Sequence, residues 1–393
     1  VAAGYGRRRG APLAAKGSRR QSLLALSAVS AAAFQDVDPS AAREAAEGGA
    51  AGGGQQREAL PVDVPPLVVQ SHGRRTVAIG DLHGDWPQAM RALALAGVIS
   101  EQDAASASNE GGPSSGAFPP WAGGDTLLVQ VGDILDRGDD ELRLLSLFAS
   151  LKKQAQEAGG DVFVLHGNHE AMNVMGDFRY VTLGGFREVA LYMEETEGPR
   201  EGDPWTLNAA AEARFALFAP GGPVAMQLAS NPTVLQVDDT LFAHAGVLPQ
   251  HVEYGLERVN YDMASWMSGM GALPGQVING EGGVYWTRVY GRDGNTDICN
   301  GLSQVLDATG AERMVVGHTP QEGGANAACD GRVWRIDVGM SRGIFSGTPQ
   351  VLEIVPPRPD ANGDGAAGDN TETQVRVLAA TPTMGGKPRD DNW

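Results

Sequence analysis

The sequence predicts an α/β protein built around parallel strands, and three observations lead there. Three short apolar runs recur along the chain: Thr76-Val77-Ala78-Ile79, Asp125-Thr126-Leu127-Leu128-Val129-Gln130-Val131 and Asp161-Val162-Phe163-Val164-Leu165. Stretches with helical periodicity fill the gaps between them. Each run stops at glycine and a polar cluster: Gly80-Asp81-Leu82-His83-Gly84, then Gly132-Asp133-Ile134-Leu135-Asp136-Arg137-Gly138, then His166-Gly167-Asn168-His169-Glu170. Strand, helix, strand, helix, strand at this spacing is a βαβαβ unit with parallel strands. Ligands of such sheets gather at the carboxyl ends of the strands, where all three clusters lie.

Taken in order, residues 1–35 are rich in Arg, Ala and Ser, with no acid before Asp36. That composition suits an organelle transit peptide, and delivery to the chloroplast is the expectation; Arg19-Arg20 before an apolar run also resembles a twin-arginine export segment. Residues 1–57 as a whole read as a disordered leader, and the folded domain is expected over 74–356. The proline-rich stretch 60–69 is an extended lead-in. Pro87 suits the first turn of a helix, carried on by Met90, Leu93, Leu95 and Val98. The aperiodic Ser/Gly/Pro/Asn stretch 101–124 reads as a surface insertion. A helix over 141–157 shows Leu142, Leu145, Phe148 and Leu151 on one face and stops at Gly159-Gly160. Residues 170–230 are mostly helical. Strands resume at 233–237 and 240–243, joined by a tight turn at Asp238-Asp239, and the second runs into His244-Ala245-Gly246. A helix over 298–308 precedes a strand, Arg313–Val316, ending in Gly317-His318-Thr319. Further strands fall at 333–336 and 350–354, and 357–393 is expected to be a loose C-terminal tail.

Composition excludes some functions. The net charge of −18 argues against a protein that binds a phosphate backbone, so no nucleic-acid partner is expected. No apolar run is long enough to span a bilayer. Cys299 and Cys329 are too few for a disulfide scaffold or a thiolate zinc site; they read as two buried free thiols, with a single disulfide open in an oxidising compartment.

Five strand ends carry groups able to bind a cation: Asp81 and His83, Asp133, Asn168, His244 and His318. Carboxylate, amide and imidazole suit hard to borderline divalent ions. Six such groups exceed what one catalytic ion needs and suit two, held roughly 3.5–4 Å apart as in two-metal hydrolases. Asp81 and His83 are assigned to one ion, Asn168, His244 and His318 to the other, and Asp133 is the natural bridge. Glu170 reads as an anchor for its own loop, and His166 as a packing residue. Manganese is the expected metal, with iron or zinc as alternatives.

These blocks, in this order, resemble the calcineurin-like metallophosphoesterases, and within them the phosphoprotein phosphatase superfamily. Asp136-Arg137-Gly138-Asp139-Asp140-Glu141, Asn168-His169-Glu170-Ala171-Met172-Asn173 and Val316-Gly317-His318-Thr319-Pro320-Gln321 are similar to the Shewanella-like protein phosphatases. The resemblance covers roughly residues 74–356 and implies a β-sandwich whose βαβαβ units are flanked by helices. It implies the ligand set above. It also implies that His169 protonates the leaving oxygen, that Asp136 hydrogen-bonds His169, and that Arg137 binds phosphate oxygens. The second phosphate-binding arginine is assigned to Arg288. One departure is Ala245, where eukaryotic members of the superfamily carry glycine; a methyl there crowds the loop without removing the ligand. The eukaryotic tyrosine-bearing loop that meets toxin inhibitors has no counterpart, which implies resistance to them.

The mechanism so implied is direct in-line attack on phosphorus by a hydroxide shared between two ions, with no covalent enzyme intermediate. The expected substrate is a phosphoprotein carrying phosphoserine or phosphothreonine. The alternatives are a phosphotyrosine-preferring enzyme, a small-molecule phosphohydrolase of the dinucleoside tetraphosphatase kind, and a catalytically dead binding module. The complete set of ligands together with His169 and Asp136 speaks against the last.

Overall fold

The structure, a computed structural model, describes residues 62–108, 118–198, 206–275, 280–292, 298–357 and 372–380. The expected leader, the middle of the 101–124 insertion and most of the expected tail lie outside them. Two sheets face each other. One runs β11(Gln374–Ala379), β10(Gln350–Val355), β2(Thr76–Ile79), β3(Leu127–Gln130), β4(Asp161–Val164). The other runs β1(Val68–Val69), β5(Val234–Val237), β6(Thr240–Ala243), β7(Arg313–Val316), β9(Val333–Arg335), β8(Asn326–Ala328). The pairs β2–β3, β3–β4 and β6–β7 are parallel, as crossovers through helices require.

The apolar runs are continuous because these strands are buried on both faces. On β2 and β3, Ala78, Leu127 and Val129 point between the sheets, where they meet Leu235, Phe242, Val315 and Leu352. Their neighbours Val77, Ile79 and Leu128 point outward under the helices. Covering one sheet are α1(Trp86–Leu95), with Asp85 capping it through Gln88 N, and α3(Glu141–Glu157). After α4(Asn168–Val174) comes a helical block, α5(Leu183–Glu197), α6(Leu207–Phe218) and α7(Pro223–Ala229). On the other side lie α8(Pro249–Tyr254), α9(Leu256–Met267) and α10(Ile298–Thr309). Among the described residues no helix is long and apolar enough to cross a membrane. The Asp238-Asp239 hairpin forms as expected, with Asp238 at a left-handed φ of 51°.

Four expectations are corrected. The insertion is not aperiodic throughout: residues 101–108 form a helix, α2(Glu101–Ser108), whose Asp103 N–H is capped by Ser100 Oγ. Its small residues Ala104 and Ala107 are buried, and the Trp86 indole donates to the Ala107 carbonyl. Alanine and serine gave no visible periodicity, so packing against α1 decides the element. The tail is not loose at 374–379: β11 adds to the sheet edge in six antiparallel pairs with β10. The cysteines are not free thiols: Cys299 and Cys329 are joined as a disulfide, their Cα atoms 5.4 Å apart. This link ties the start of α10 to the turn between β8 and β9, a separation no sequence reveals. Finally, Glu170 does not lie in a loop of its own: α4, which contains it, opens at Asn168 directly after Gly167.

Candidate metal centre

All five nominated strand ends converge at one end of the sandwich, because the carboxyl ends of β2, β3 and β4 in one sheet face those of β6 and β7 in the other. The loops are tied together by the backbone. Leu82 N and His83 N both donate to the Asp133 carbonyl, at 3.0 and 2.9 Å, and Gly84 N donates to Ile134 O. A Cβ on Gly138 would lie 2.3 Å from the His83 carbonyl oxygen, so glycine lets the two loops touch. His83, Asp133, Asp136, Arg137 and His318 all adopt left-handed φ values, between 47° and 68°. Non-glycine residues pay for that conformation, and its concentration here marks a site held in shape by its surroundings.

Glu170 is the main restraint. One carboxylate oxygen accepts Gly167 N at 2.6 Å and Asp133 N at 2.8 Å; the other accepts Ile134 N at 2.9 Å and Leu135 N at 3.1 Å. The anchor role expected for it is therefore what the geometry gives. Asp133 Oδ1 in turn accepts the His169 N–H at 3.0 Å, an orphan donor of the first turn of α4.

Asp133 Oδ2 lies at the centre. It is 3.3 Å from His244 Nε2, 3.8 Å from His83 Nε2 and 3.9 Å from His169 Nε2. Buried nitrogen and oxygen atoms form two groups that share Asp133, one with His83 and His169 and one with His244 and His318. Asn168 Oδ1 sits 3.0 Å from His244 Nε2 and 2.8 Å from His318 Nδ1. Asp81 stands further back: it accepts the His318 N–H at 3.2 Å and shares a hydrogen bond with the Asp337 carboxyl. Thus Asp133, His83, His244, His318 and Asn168 meet directly, and Asp81 borders them from the His318 side.

The donor set suits cations. His83 Nδ1 lies 3.0 Å from Leu135 O and His244 Nδ1 lies 2.9 Å from Val131 O. Carbonyls only accept, so those nitrogens carry hydrogen and each ring turns its Nε2 toward Asp133. Burial lowers His244, but Asp133 outweighs it and holds the ring above its ordinary value, whereas a cation at Nε2 would favour the neutral ring; that Nε2 also faces the Asn168 oxygen. Acceptors meeting acceptors in a buried space are stabilised by a positive ion. Burial, then the neighbouring His169, lowers His83 to about 4. Burial, then His244, lowers His318 to about 2. Both are therefore neutral and able to ligate at ordinary pH. Burial and then Asp337 and Asp133 push Asp81 well above the usual carboxylate range. Two carboxyls in hydrogen-bond contact share a proton that a cation would release.

The remaining nominated residues flank this centre. His169 Nδ1 is 2.5 Å from Asp136 Oδ2. Burial lowers His169, but Asp133 and Asp136 outweigh it and hold the ring above its ordinary value, favouring imidazolium. Arg137 stacks on the Tyr180 ring, 4.6 Å from its centroid, and its Nε is buried without a hydrogen-bond partner among the described residues. Arg288 lies on the opposite flank, its Nη1 3.3 Å from the His318 carbonyl oxygen and 3.4 Å from Thr319 Oγ1. Ala245 is accommodated in a buried position. His166 is a buried packing residue that bonds Leu228 O at 2.7 Å.

Sequence reasoning missed Asp337, Tyr180, Asn173, Glu141 and Arg214. Asp337 had a signal: it follows the strand Val333–Arg335 and precedes Val338-Gly339, the same strand-end pattern as the rest. Asn173 and Glu141 lay inside recognised blocks without a role. Tyr180 and Arg214 carried no local signal, since distant elements bring them in.

The chain is similar to known proteins in family and fold. The family described as calcineurin-like phosphoesterase matches residues 74–322. Shewanella-like protein phosphatase 2 of Arabidopsis thaliana is 37% identical over 308 residues, covering 71% of this chain and 75% of that protein. Shewanella-like protein phosphatase 1 of Plasmodium berghei is 26% identical over 294 residues, covering 70% of this chain and 69% of that protein. Among solved structures, a cold-active protein-tyrosine phosphatase of a psychrophilic Shewanella has a TM-score of 0.58 at 21% identity, covering 83% of this chain and 89% of its own. That likeness is one of fold.

Proposed function

We propose that this chain, which belongs to the calcineurin-like phosphoesterases and among them to the Shewanella-like protein phosphatases, hydrolyses phosphoserine and phosphothreonine monoesters of proteins. Membership makes it a phosphoric monoester hydrolase of the metallophosphoesterase class. The observation that carries the finer reading is the shared centre: one carboxylate, Asp133, faces three imidazoles, and one of them, His169, is held from behind by Asp136.

Asp81 and His83 would hold one divalent cation and Asn168, His244 and His318 a second, with Asp133 between them. Oxygen and nitrogen donors without thiolate favour manganese, with iron and zinc as alternatives. When bound, such cations acidify water and neutralise charge on phosphoryl oxygens. The side chains do the rest. Arg137 and Arg288, on opposite flanks, bind the non-bridging oxygens of the phosphoryl group. His169 spends its Nδ1 hydrogen on Asp136 and keeps its Nε2 hydrogen for the departing serine or threonine oxygen, whose alkoxide is a poor leaving group. The leader's composition further supports chloroplast delivery; a fluorescent fusion of residues 1–57 that stays in the cytosol would reject it.

The test is hydrolysis by manganese-supplemented protein of phosphoserine, phosphothreonine and phosphotyrosine peptides and of diadenosine tetraphosphate, with His169→Asn as control. The expected result is turnover of the first two above the others, lost on chelation, with kcat reduced on the order of 10²–10⁴-fold in the variant. Preference for phosphotyrosine or for the dinucleotide overturns the substrate class. Wild-type turnover equal to that of His169→Asn overturns the role of His169.

A further inference from the structure

We propose that Arg214 is a positioning residue for this reaction: its guanidinium, reaching in from α6, fixes the Asp136 carboxylate that holds His169. The inference rests on the role given to His169 above. Arg214 is wholly buried, on a helix that carries none of the nominated residues. Its fork grips Glu141 of α3, with Nη1 donating to Oε2 at 2.7 Å and Nη2 to Oε1 at 2.9 Å. Its Nε donates to Asn173 Oδ1 at 2.8 Å. The rings of Phe218, Phe178 and Phe186 lie 4.7, 5.6 and 6.0 Å from the guanidinium carbon and keep water from it.

Each of those bonds passes to Asp136. Because Arg214 occupies the Asn173 oxygen, the Asn173 amide must turn its Nδ2 the other way. There it donates to Asp136 Oδ1 at 3.0 Å and to the His169 carbonyl at 2.9 Å. Glu141 Oε1, steadied by Arg214, accepts the Asp136 N–H at 2.6 Å and holds that residue at its left-handed φ of 68°. Asp136 is thus fixed at its backbone and at one carboxylate oxygen, and the other oxygen is left for His169 Nδ1. An arginine that only pinned α6 to α3 would need the Glu141 fork and nothing more; the Nε–Asn173 bond links it to the proton donor.

Arg214→Lys keeps the charge but cannot make the fork and the Nε bond together. The experiment measures kcat and KM of the manganese-loaded enzyme on a series of aryl phosphates whose phenols become progressively less acidic, with Thr or Ser phosphopeptide at the end. An impaired proton donor hurts poor leaving groups most. The expected result is a kcat loss of about 3-fold for the most acidic phenol rising to about 100-fold for the phosphopeptide, with KM within about 2-fold throughout. Adding Arg214→Lys to His169→Asn should cause no further loss. An even loss across the series, or losses that multiply in the double variant, overturns the proposal. If Arg214→Lys does not fold, Asn173→Leu, which keeps the Glu141 fork, carries the same expectations. A His169→Asn enzyme whose leaving-group dependence matches wild type refutes the role of His169 instead, and the inference falls with it.

Discussion

Replacing Glu170 by glutamine tests the idea that a buried carboxylate, and not the metal-binding side chains themselves, shapes the centre. Among the described residues, four backbone N–H groups and no hydrogen-bond acceptor face its two oxygens. Burial and the nearby Asp133 carboxylate push Glu170 upward. The four donors nevertheless require the ionised form, since a carboxylic O–H would point at another hydrogen. In Glu170→Gln one oxygen becomes an NH2 group facing two N–H donors. Each buried donor left without a partner costs about 1–3 kcal/mol, so the pair costs about 4 kcal/mol. Asp133, at a left-handed φ of 57°, also loses a bond that holds it there. Against a total stability of about 5–15 kcal/mol this is a large loss, and Tm should fall by about 10 °C. Manganese affinity should fall about 10–100-fold, the usual effect of removing a partner behind the ligands. Scanning calorimetry and a manganese titration read the two quantities. A variant with Tm within about 2 °C of wild type and unchanged affinity would refute the reasoning.

Three other perturbations have definite outcomes. In Gly167→Ala the new Cβ would fall 2.1 Å from Asp133 Oδ1 and 2.5 Å from Asp133 N; since Gly167 has an ordinary φ of −106°, space and not conformation is at issue, and calorimetric titration should show manganese affinity reduced about 10–100-fold. The pair Cys299→Ser and Cys329→Ser opens a loop spanning 30 residues, which costs about 3–4 kcal/mol; Tm should drop by several degrees while activity at 25 °C persists, and an unchanged Tm contradicts the chain-entropy account. Ending the chain after Pro357 removes β11 and the partly buried Val375 and Val377, and leaves Glu353 with Arg75 but without Arg376. Stability should fall by about 2–4 kcal/mol in urea, with kcat retained because β10 stands between β11 and β2, the nearest strand that bears the site; lost activity at full folding opposes that reading.

Much of this was legible because the βαβαβ unit writes itself locally. Doubly buried strands need continuous apolar runs such as Leu127–Gln130, and a strand ending in a site needs a small residue where backbones meet, as at Gly138 against His83. The polar residues after each strand end could be gathered into one centre by the rule that open α/β sheets bind at their carboxyl ends. The rule applies equally to His244 and His318, which lie far along the chain from Asp81. What was not legible depended on separations in space. Asp81 was grouped with His83, yet its carboxyl meets Asp337 and the His318 N–H. The two cysteines looked free until the β8–β9 turn met the start of α10. The run Gln374–Ala379 reads as tail because an edge strand facing solvent needs no continuous apolar pattern.

The sequence alone therefore determined the strands that bear the site, the family and the residues nominated for the centre, since these are set by local periodicity and by residue types that must occur at strand ends. The tertiary structure decided how those residues are held: which carboxylate faces three imidazoles, which one gathers four backbone donors, and how Arg214 on a distant helix reaches Asp136. The physical reason is that hydrogen bonds and lone-pair contacts depend on distances of a few tenths of an ångström between segments far apart in the chain, and no pattern along the chain encodes those distances.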